Sequence, residues 1–210
     1  MNQELDTSTG TTGLKRLFLL ILKNCFELVA LSVFFTVSCL PLLTIPSALV
    51  ALTSSTLCLC RDEEHALRLY WKTFLHPKGK WYRIVLPQLL LEVLMAASFL
   101  LALEYAPQQR LLWIVSGIDA VGLCVCIMAG IYLYPLILDE PEVPPAVVWK
   151  HTFAAVALRL PYTVVTLSAI VLLWGICLRT FTENWIWLIL VLPALSSLVT
   201  SFSADFWLRK

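Results

Sequence analysis

The chain has 210 residues, 60% of them hydrophobic and only 14% charged, with a mean hydropathy of +0.84 and a formal net charge of +1. A soluble domain is about 45–50% apolar and about 25% charged, so one aqueous core cannot hide this much apolar surface and lipid must be the solvent. No arginine-rich or RNP-like stretch accompanies the near-zero charge, which leaves nothing to argue for a nucleic-acid partner.

Residues 1–13 (MNQELDTSTGTTG) are polar and weakly acidic. They read as a disordered N-terminus and lack the basic start and small-residue cleavage site of a signal peptide. The run from Leu28 to Cys60 then carries no charged residue. As one helix it would be about 50 Å long at 1.5 Å per residue, too long for a bilayer core of ~30 Å. Pro41 and Pro46 fall near its middle, where proline removes a backbone bond and clashes with the preceding turn. Lys15, Arg16 and Lys23 precede the run, and Arg61, Arg68, Lys72, Lys78, Lys80 and Arg83 follow it. Basic flanks face the cytoplasm, so an even number of crossings separates them. The expectation is a proline-broken hairpin, or a deep re-entrant pair, with spans at about 24–41 and 44–60.

Four more apolar segments follow, at 84–105, 111–138, 160–178 and 185–207. In the resulting six-span, all-α, single-domain layout (residues 14–210), 13 of the 15 basic residues fall on the inner side and two, Arg110 and Arg179, on the outer side. Both termini are therefore expected in the cytoplasm. Trp81, Tyr82, Tyr105, Trp185, Trp187 and Trp207 fall near span ends, where an aromatic belt is expected.

The two long inner loops echo each other. Asp62-Glu63-Glu64 precedes Trp71-Lys72-Thr73-Phe74, Arg83 and Leu86-Pro87; Asp139-Glu140 precedes Trp149-Lys150-His151-Thr152-Phe153, Arg159 and Leu160-Pro161. This reads as a degenerate repeat of an amphipathic cytoplasmic helix followed by a transmembrane hairpin. Leu67, Tyr70, Trp71, Phe74 and Leu75 share a helical face, and Pro145 suits a first helical turn. Such helices anchor in the interface or serve as docking surfaces. Trp71, Lys72, Phe74, Trp149, Lys150 and Phe153 are the candidate partner contacts.

Four carboxylates fall in or near spans. Glu27 and Asp205 lie close to inner ends, whereas Glu92 and Asp119 lie deeper, where an unpaired charge costs a few kcal/mol. These two are candidates for proton or solute handling; the structural reading pairs them with Ser98, Ser116 or a neighbouring helix. They enter the membrane from opposite sides, which argues against a shared site. The seven cysteines form no C-x-x-C, and Cys58/Cys60 and Cys124/Cys126, two apart, diverge on a helix. They read as small apolar residues. No metal site, cofactor motif, phosphate loop or catalytic constellation is present, and no enzyme is expected.

The segments CLPLLTIPSALVAL, YWKTF, GIYLYPLILDEPEV and LRLPYTVV, in this order, resemble the YesL-like family of bacterial integral membrane proteins, which carry a domain of unknown function. The resemblance covers roughly residues 14–207 and rests on Pro41, Thr44, Ser47 and Ala48, on Tyr70 to Phe74, and on Tyr134-Pro135-Leu136. HPKGKWYR departs from the family's usual asparagine and second aromatic. The resemblance implies a multi-pass protein of the bacterial plasma membrane, encoded among genes for oligosaccharide uptake. It carries over no catalytic residue. The function expected is therefore a non-enzymatic accessory component of carbohydrate uptake in contact with a sugar ABC permease; the alternative is a small independent transporter using Glu92 or Asp119. A homo-oligomer is compatible with either.

Overall fold

Inside lipid a backbone has no water to bond to, and a helix satisfies its own amides and carbonyls within one segment. The computed structural model of the chain describes residues 11–61, 65–77, 79–105, 110–139, 143–180 and 185–208, and these contain helices and no strand. Nine α-helices run in order: α1 (Thr11–Lys23), α2 (Cys25–Ser38), α3 (Ile45–Cys60), α4 (Ala66–Leu75), α5 (Gly79–Tyr105), α6 (Arg110–Asp139), α7 (Pro145–Leu158), α8 (Leu160–Thr180) and α9 (Trp185–Leu208). The order repeats three times as a shorter helix followed by a helical pair. The echo between the two loops corresponds to α4 and α7, and α1 is a third member that sequence comparison missed.

Leu42–Cys60, Trp81–Ala102 and Leu112–Asp139 are each long and apolar enough to cross a membrane. Residues Lys15–Lys23 with Cys25–Ser38, and Pro145–Leu158 with Leu160–Ile176, qualify only as pairs bent by 73° and 89°. The described residues thus hold three spans, or up to five if each bent pair is one. The first expected span, 24–41, is shorter than the sequence implied. Its helix, α2, has 14 residues and is about 21 Å long, below the ~30 Å hydrocarbon thickness.

The break between α2 and α3 falls at the expected prolines. Pro41 is extended at the head of a 3-10 turn, Leu42–Thr44. Pro46 is in the first turn of α3, where its missing amide has no helical partner to lose. The Thr44 hydroxyl closes the turn by donating to the carbonyls of Ser38 and Pro41. Leu40, Leu42 and Leu43 are all about four-fifths exposed at this tip, a surface suited to lipid and not to water.

α3 is the axis of the bundle. All its residues except Ile45 and Leu49 are buried, against α2, α4, α5, α6 and α9. Its small and hydroxylated residues permit close approach. The hydroxyls of Thr53, Ser55 and Thr56 donate back to Leu49, Ala51 and Leu52 carbonyls at 3.0, 2.9 and 3.0 Å. Thr56 also bonds Ser197 and Ser201 of α9 at 3.0 and 2.8 Å. Near Pro193, the Ala194 amide of α9 donates to the Ser32 hydroxyl of α2 at 3.2 Å. At one end of the molecule Arg61, just past α3, meets Asp139 at the end of α6 (3.8 Å) and Asp205 near the end of α9 (3.3 Å). The C-terminal ends of these three helices therefore share one face, with a cation where helix dipoles are negative.

The short helices α4 and α7 each pack onto a longer helix. After α3, His65 adopts a left-handed conformation (φ 86°), which non-glycine residues rarely take. From there α4 packs back against α3, with Ala66 and Tyr70 fully buried and Ser54 donating to Thr73 at 3.3 Å. α7 packs against α6 through Val148 and Val156. α7 is not amphipathic, because Phe153 and Leu158 are as apolar as its buried residues and lie exposed. Trp81, expected in the aromatic belt, is a core residue packed with Val50, Ile84, Leu133 and Ile137, while Tyr105 is half exposed. Trp185, Trp187 and Trp207 have side chains outside the described residues, as do Asp62 to Glu64. The cysteines divide: Cys58 and Cys60 are buried, but Cys25 and Cys124 are exposed on an apolar surface.

Tyr70, on α4 between the spans, presents a specific test. Burial pushes its hydroxyl up to about 12, the nearby Ser38 hydroxyl offsetting only part of this, and no group stands in hydrogen-bonding geometry to it. A buried hydroxyl without a partner costs about 1–3 kcal/mol. Tyr70→Phe is expected to leave the melting temperature in detergent unchanged or raised. A clear fall would show that the hydroxyl has a partner in solution.

Candidate functional site: an intramembrane cavity

The helices line a partly open pocket of about 270 Å³. Phe35 of α2, Leu52 and Thr53 of α3, and Ile131 of α6 form part of its wall; Ile170 of α8 and Ser196, Ser197 and Thr200 of α9 form much of the rest. Gln88 and Glu92 of α5 complete it. Helices α2, α3, α5, α6, α8 and α9 all contribute, so the pocket exists only when the bundle is assembled.

Gln88 and Glu92 are four apart on one helix and therefore share a face. Gln88 Nε2 donates to Glu92 Oε1 at 2.9 Å and to the Cys126 carbonyl of α6 at 3.2 Å. The Cys126 carbonyl can only accept, which fixes the orientation of the amide. Both amide hydrogens are then used, and Oε1 remains. Gln88 is 2% exposed, and its Oε1 has no hydrogen-bond partner. Gly130 makes room for this arrangement: a Cβ there would stand 2.9 Å from Gln88 Nε2 and 3.5 Å from the Tyr134 ring.

Two of the hydroxyl protons around the cavity are committed to backbone carbonyls. Thr53 donates to the Leu49 carbonyl at 3.0 Å, and Thr200 to the Ser197 carbonyl at 2.8 Å. Ser196 accepts from Trp174 Nε1 at 3.1 Å. No lysine, arginine or histidine lines the space. The site offers the Glu92 carboxyl, the Tyr134 hydroxyl and the hydroxyls of Thr53, Ser196, Ser197 and Thr200 within mostly apolar walls.

Of the two expected carboxylates, only Glu92 belongs to this site. Asp119 of α6 accepts from Ser98 of α5 at 2.6 Å, one of the partners the sequence named. Ser98 is six residues beyond Glu92 on α5, about 9 Å along the axis. Asp119 thus clasps the α5–α6 hairpin away from the cavity. The sequence reading missed Gln88, Gly130 and the hydroxyls of Thr53 and Thr200. A glutamine one turn from a glutamate in an apolar span was the available signal.

The candidate partner contacts are divided by the fold. Trp71 is 39% exposed but already packs edge-on against Phe34 of α2 (centroids 5.2 Å apart) and Phe74 (6.0 Å). Phe74 stacks on Tyr70 at 6.1 Å. Trp149 is half-buried and stacks on Phe153 at 5.7 Å; Phe153 is half exposed. Lys72 and Lys150 are exposed. Much of the α4 aromatic cluster therefore attaches α4 to α2. Among the described residues no three His, Cys, Asp or Glu side chains gather as a metal ion would require.

Protein-family models, curated proteins and solved structures give no match to this chain.

The glycines supply a contrast that tests the geometry. Gly117 has nothing within 4 Å of an added Cβ, so Gly117→Ala is expected to be neutral or slightly stabilising. Gly130→Ala crowds the Gln88 amide and is expected to lower thermal stability by about 1–3 kcal/mol. Equal melting temperatures for the two variants in detergent would show that Gln88 is not held against Gly130.

Proposed function

We propose that the protein is a six-span helical protein of a bacterial plasma membrane, with both termini cytoplasmic, that binds a small polar solute in its central cavity and passes it across the bilayer. The observation that carries this reading is Glu92, a carboxylate deep in an apolar helix that lines, with Gln88, a space built from six helices. Buried polar groups inside a membrane are costly and mark solute or ion paths by default. The charge bias of the loops supports the orientation.

The cavity volume limits the solute. A dry cavity of about 150 Å³ holds benzene; by that scale the space of about 270 Å³ takes about ten non-hydrogen atoms, the size of one sugar unit or smaller. An oligosaccharide does not fit. If the chain acts in oligosaccharide uptake, it acts there as an accessory component beside a sugar permease. The exposed parts of Trp71 and Phe153 favour this second reading.

One experiment separates the two. Liposomes containing the purified protein are loaded with a mixture of monosaccharides, amino acids and amines, and release is followed by mass spectrometry. Release of at least one solute, lost in Glu92→Gln and in the cavity-filling Ile131→Trp, is the expected result. If liposomes with and without protein retain every solute equally, the transport reading fails. Stoichiometric recovery of a permease from the native membrane, weakened by Trp71→Ala, would then establish the accessory role.

A further inference from the structure

The pocket is joined to one end of the molecule by a polar seam. Ser197 of α9 belongs to the pocket wall and bonds the Thr56 hydroxyl of α3 at 3.0 Å. Thr56 in turn bonds Ser201 of α9 at 2.8 Å. One turn further along, Asp205 of α9 meets Arg61, just past α3, at 3.3 Å, and Asp139 at the end of α6 stands 3.8 Å from the same guanidinium. Ser197, Ser201 and Asp205 are spaced four apart and share one face of α9. Along that axis the pocket residue Ser197 lies about 12 Å from Asp205. Thr56 and Arg61 meet this row from the α3 side.

The seam differs from other hydroxyl contacts between helices. Tyr132 with Thr163, and Thr166 with Ser203, join helices at 3.0 and 2.7 Å, but none of these four residues lines the pocket. The α3–α9 row runs from the pocket wall to charged groups, and its members can exchange partners. A hydroxyl both donates and accepts, so water or a polar solute can replace the Thr56–Ser201 bond without orphaning either group. Arg61, Asp205 and Asp139 are partly exposed, and ion pairs this close to water separate at small cost. An apolar contact in the same place would offer an entering polar solute nothing. Helices α3, α6 and α9 all line the pocket, and the Arg61 cluster ties their ends together. With that cluster formed, Thr56 and Ser201 are fully buried and the seam is shut.

Building on the pocket-binding reading, we propose that the α3–α9 seam is the solute's passage between the pocket and the end of the molecule that carries Arg61, and that the Arg61–Asp205–Asp139 cluster is the gate that closes it.

The test measures the reaction of a small cationic methanethiosulfonate with single cysteines in lipid nanodiscs, where both faces of the protein meet water; the seven native cysteines are replaced by alanine. Ser201→Cys reports on the seam and Thr53→Cys on the pocket. Leu133→Cys, fully buried on α6 outside the pocket wall, reports general loosening. Arg61→Gln removes both ion pairs. It is expected to speed labelling at position 201 about threefold or more, the scale of losing two partly exposed pairs, and to leave position 133 inert. The exchanged pair, Arg61→Asp with Asp205→Arg, is expected to restore slow labelling at 201. If Arg61→Gln leaves the rate at 201 unchanged while position 53 reacts, the gate is overturned and the pocket reading stands. Equal acceleration at 201 and 133 shows that Arg61 only holds the bundle together and overturns the gate too, as does an exchanged pair as reactive as Arg61→Gln. No reaction at position 53 in any of these backgrounds overturns the seam and the pocket reading together.

Discussion

A helix buried on all sides inside a membrane protein has neither water nor lipid headgroups to satisfy its polar atoms, and α3 is such a helix. Its hydroxyls are tolerated because each bonds back to a carbonyl of its own helix or across to α9. The small side chains that make this possible also let five other helices approach it closely. Hydrophobic burial cannot drive association between helices already in lipid, so close packing and interhelical hydrogen bonds must do so. The hydroxyl pairs between α3 and α9, α6 and α8, and α8 and α9 are these contacts, with distances of 2.8, 3.0 and 2.7 Å.

Against that background Gln88, like the Tyr70 hydroxyl, is incompletely paired. Its donors are paired and its acceptor is not, although it is as buried as its neighbours. The same amide connects three features: the α5 carboxylate, the α6 backbone and the space kept open by Gly130. Asp119 supplies the comparison. It too is a carboxylate within the membrane, but Ser98 satisfies it where no cavity adjoins. Asp119 holds two helices together, whereas Glu92 lines the pocket.

Hydrophobicity alone revealed the helical class and the extents of α5, α6 and α8, since long apolar runs leave little choice in lipid. The prolines at 41 and 46 announced the break between α2 and α3. Ser98 was one of several partners the sequence offered for the intramembrane carboxylates, because serine is among the few polar residues in these runs; it bonds Asp119. Other features were hidden by equal hydropathy. α3 and α5 read as similarly apolar, yet one is the buried axis and the other faces lipid with Leu90, Val93 and Leu94. The difference lay in residue size, Ser, Thr, Ala and Cys against Leu and Val. The boundary at Arg159, where the sequence placed the end of one helical segment and the start of the span at Leu160-Pro161, is a bend of 89°, an angle the sequence does not encode because helix direction is set by packing. Gln88 was overlooked because an uncharged amide does not interrupt an apolar run, although its unpaired acceptor matters as much as a charge would.

The most direct test of a hydrated, solute-accessible cavity is thiol labelling in membranes, in a chain whose seven native cysteines are replaced by alanine. A cysteine at Thr53, in the cavity wall, is compared with one at Val121, 65% exposed on the outer surface of α6, using a small cationic methanethiosulfonate. Thiols react as thiolates and need water to ionise. Rapid labelling at position 53 and none at 121 is the expected result. Equal inertness at both positions would contradict a cavity open to polar solutes, and with it the function assigned to Gln88 and Glu92.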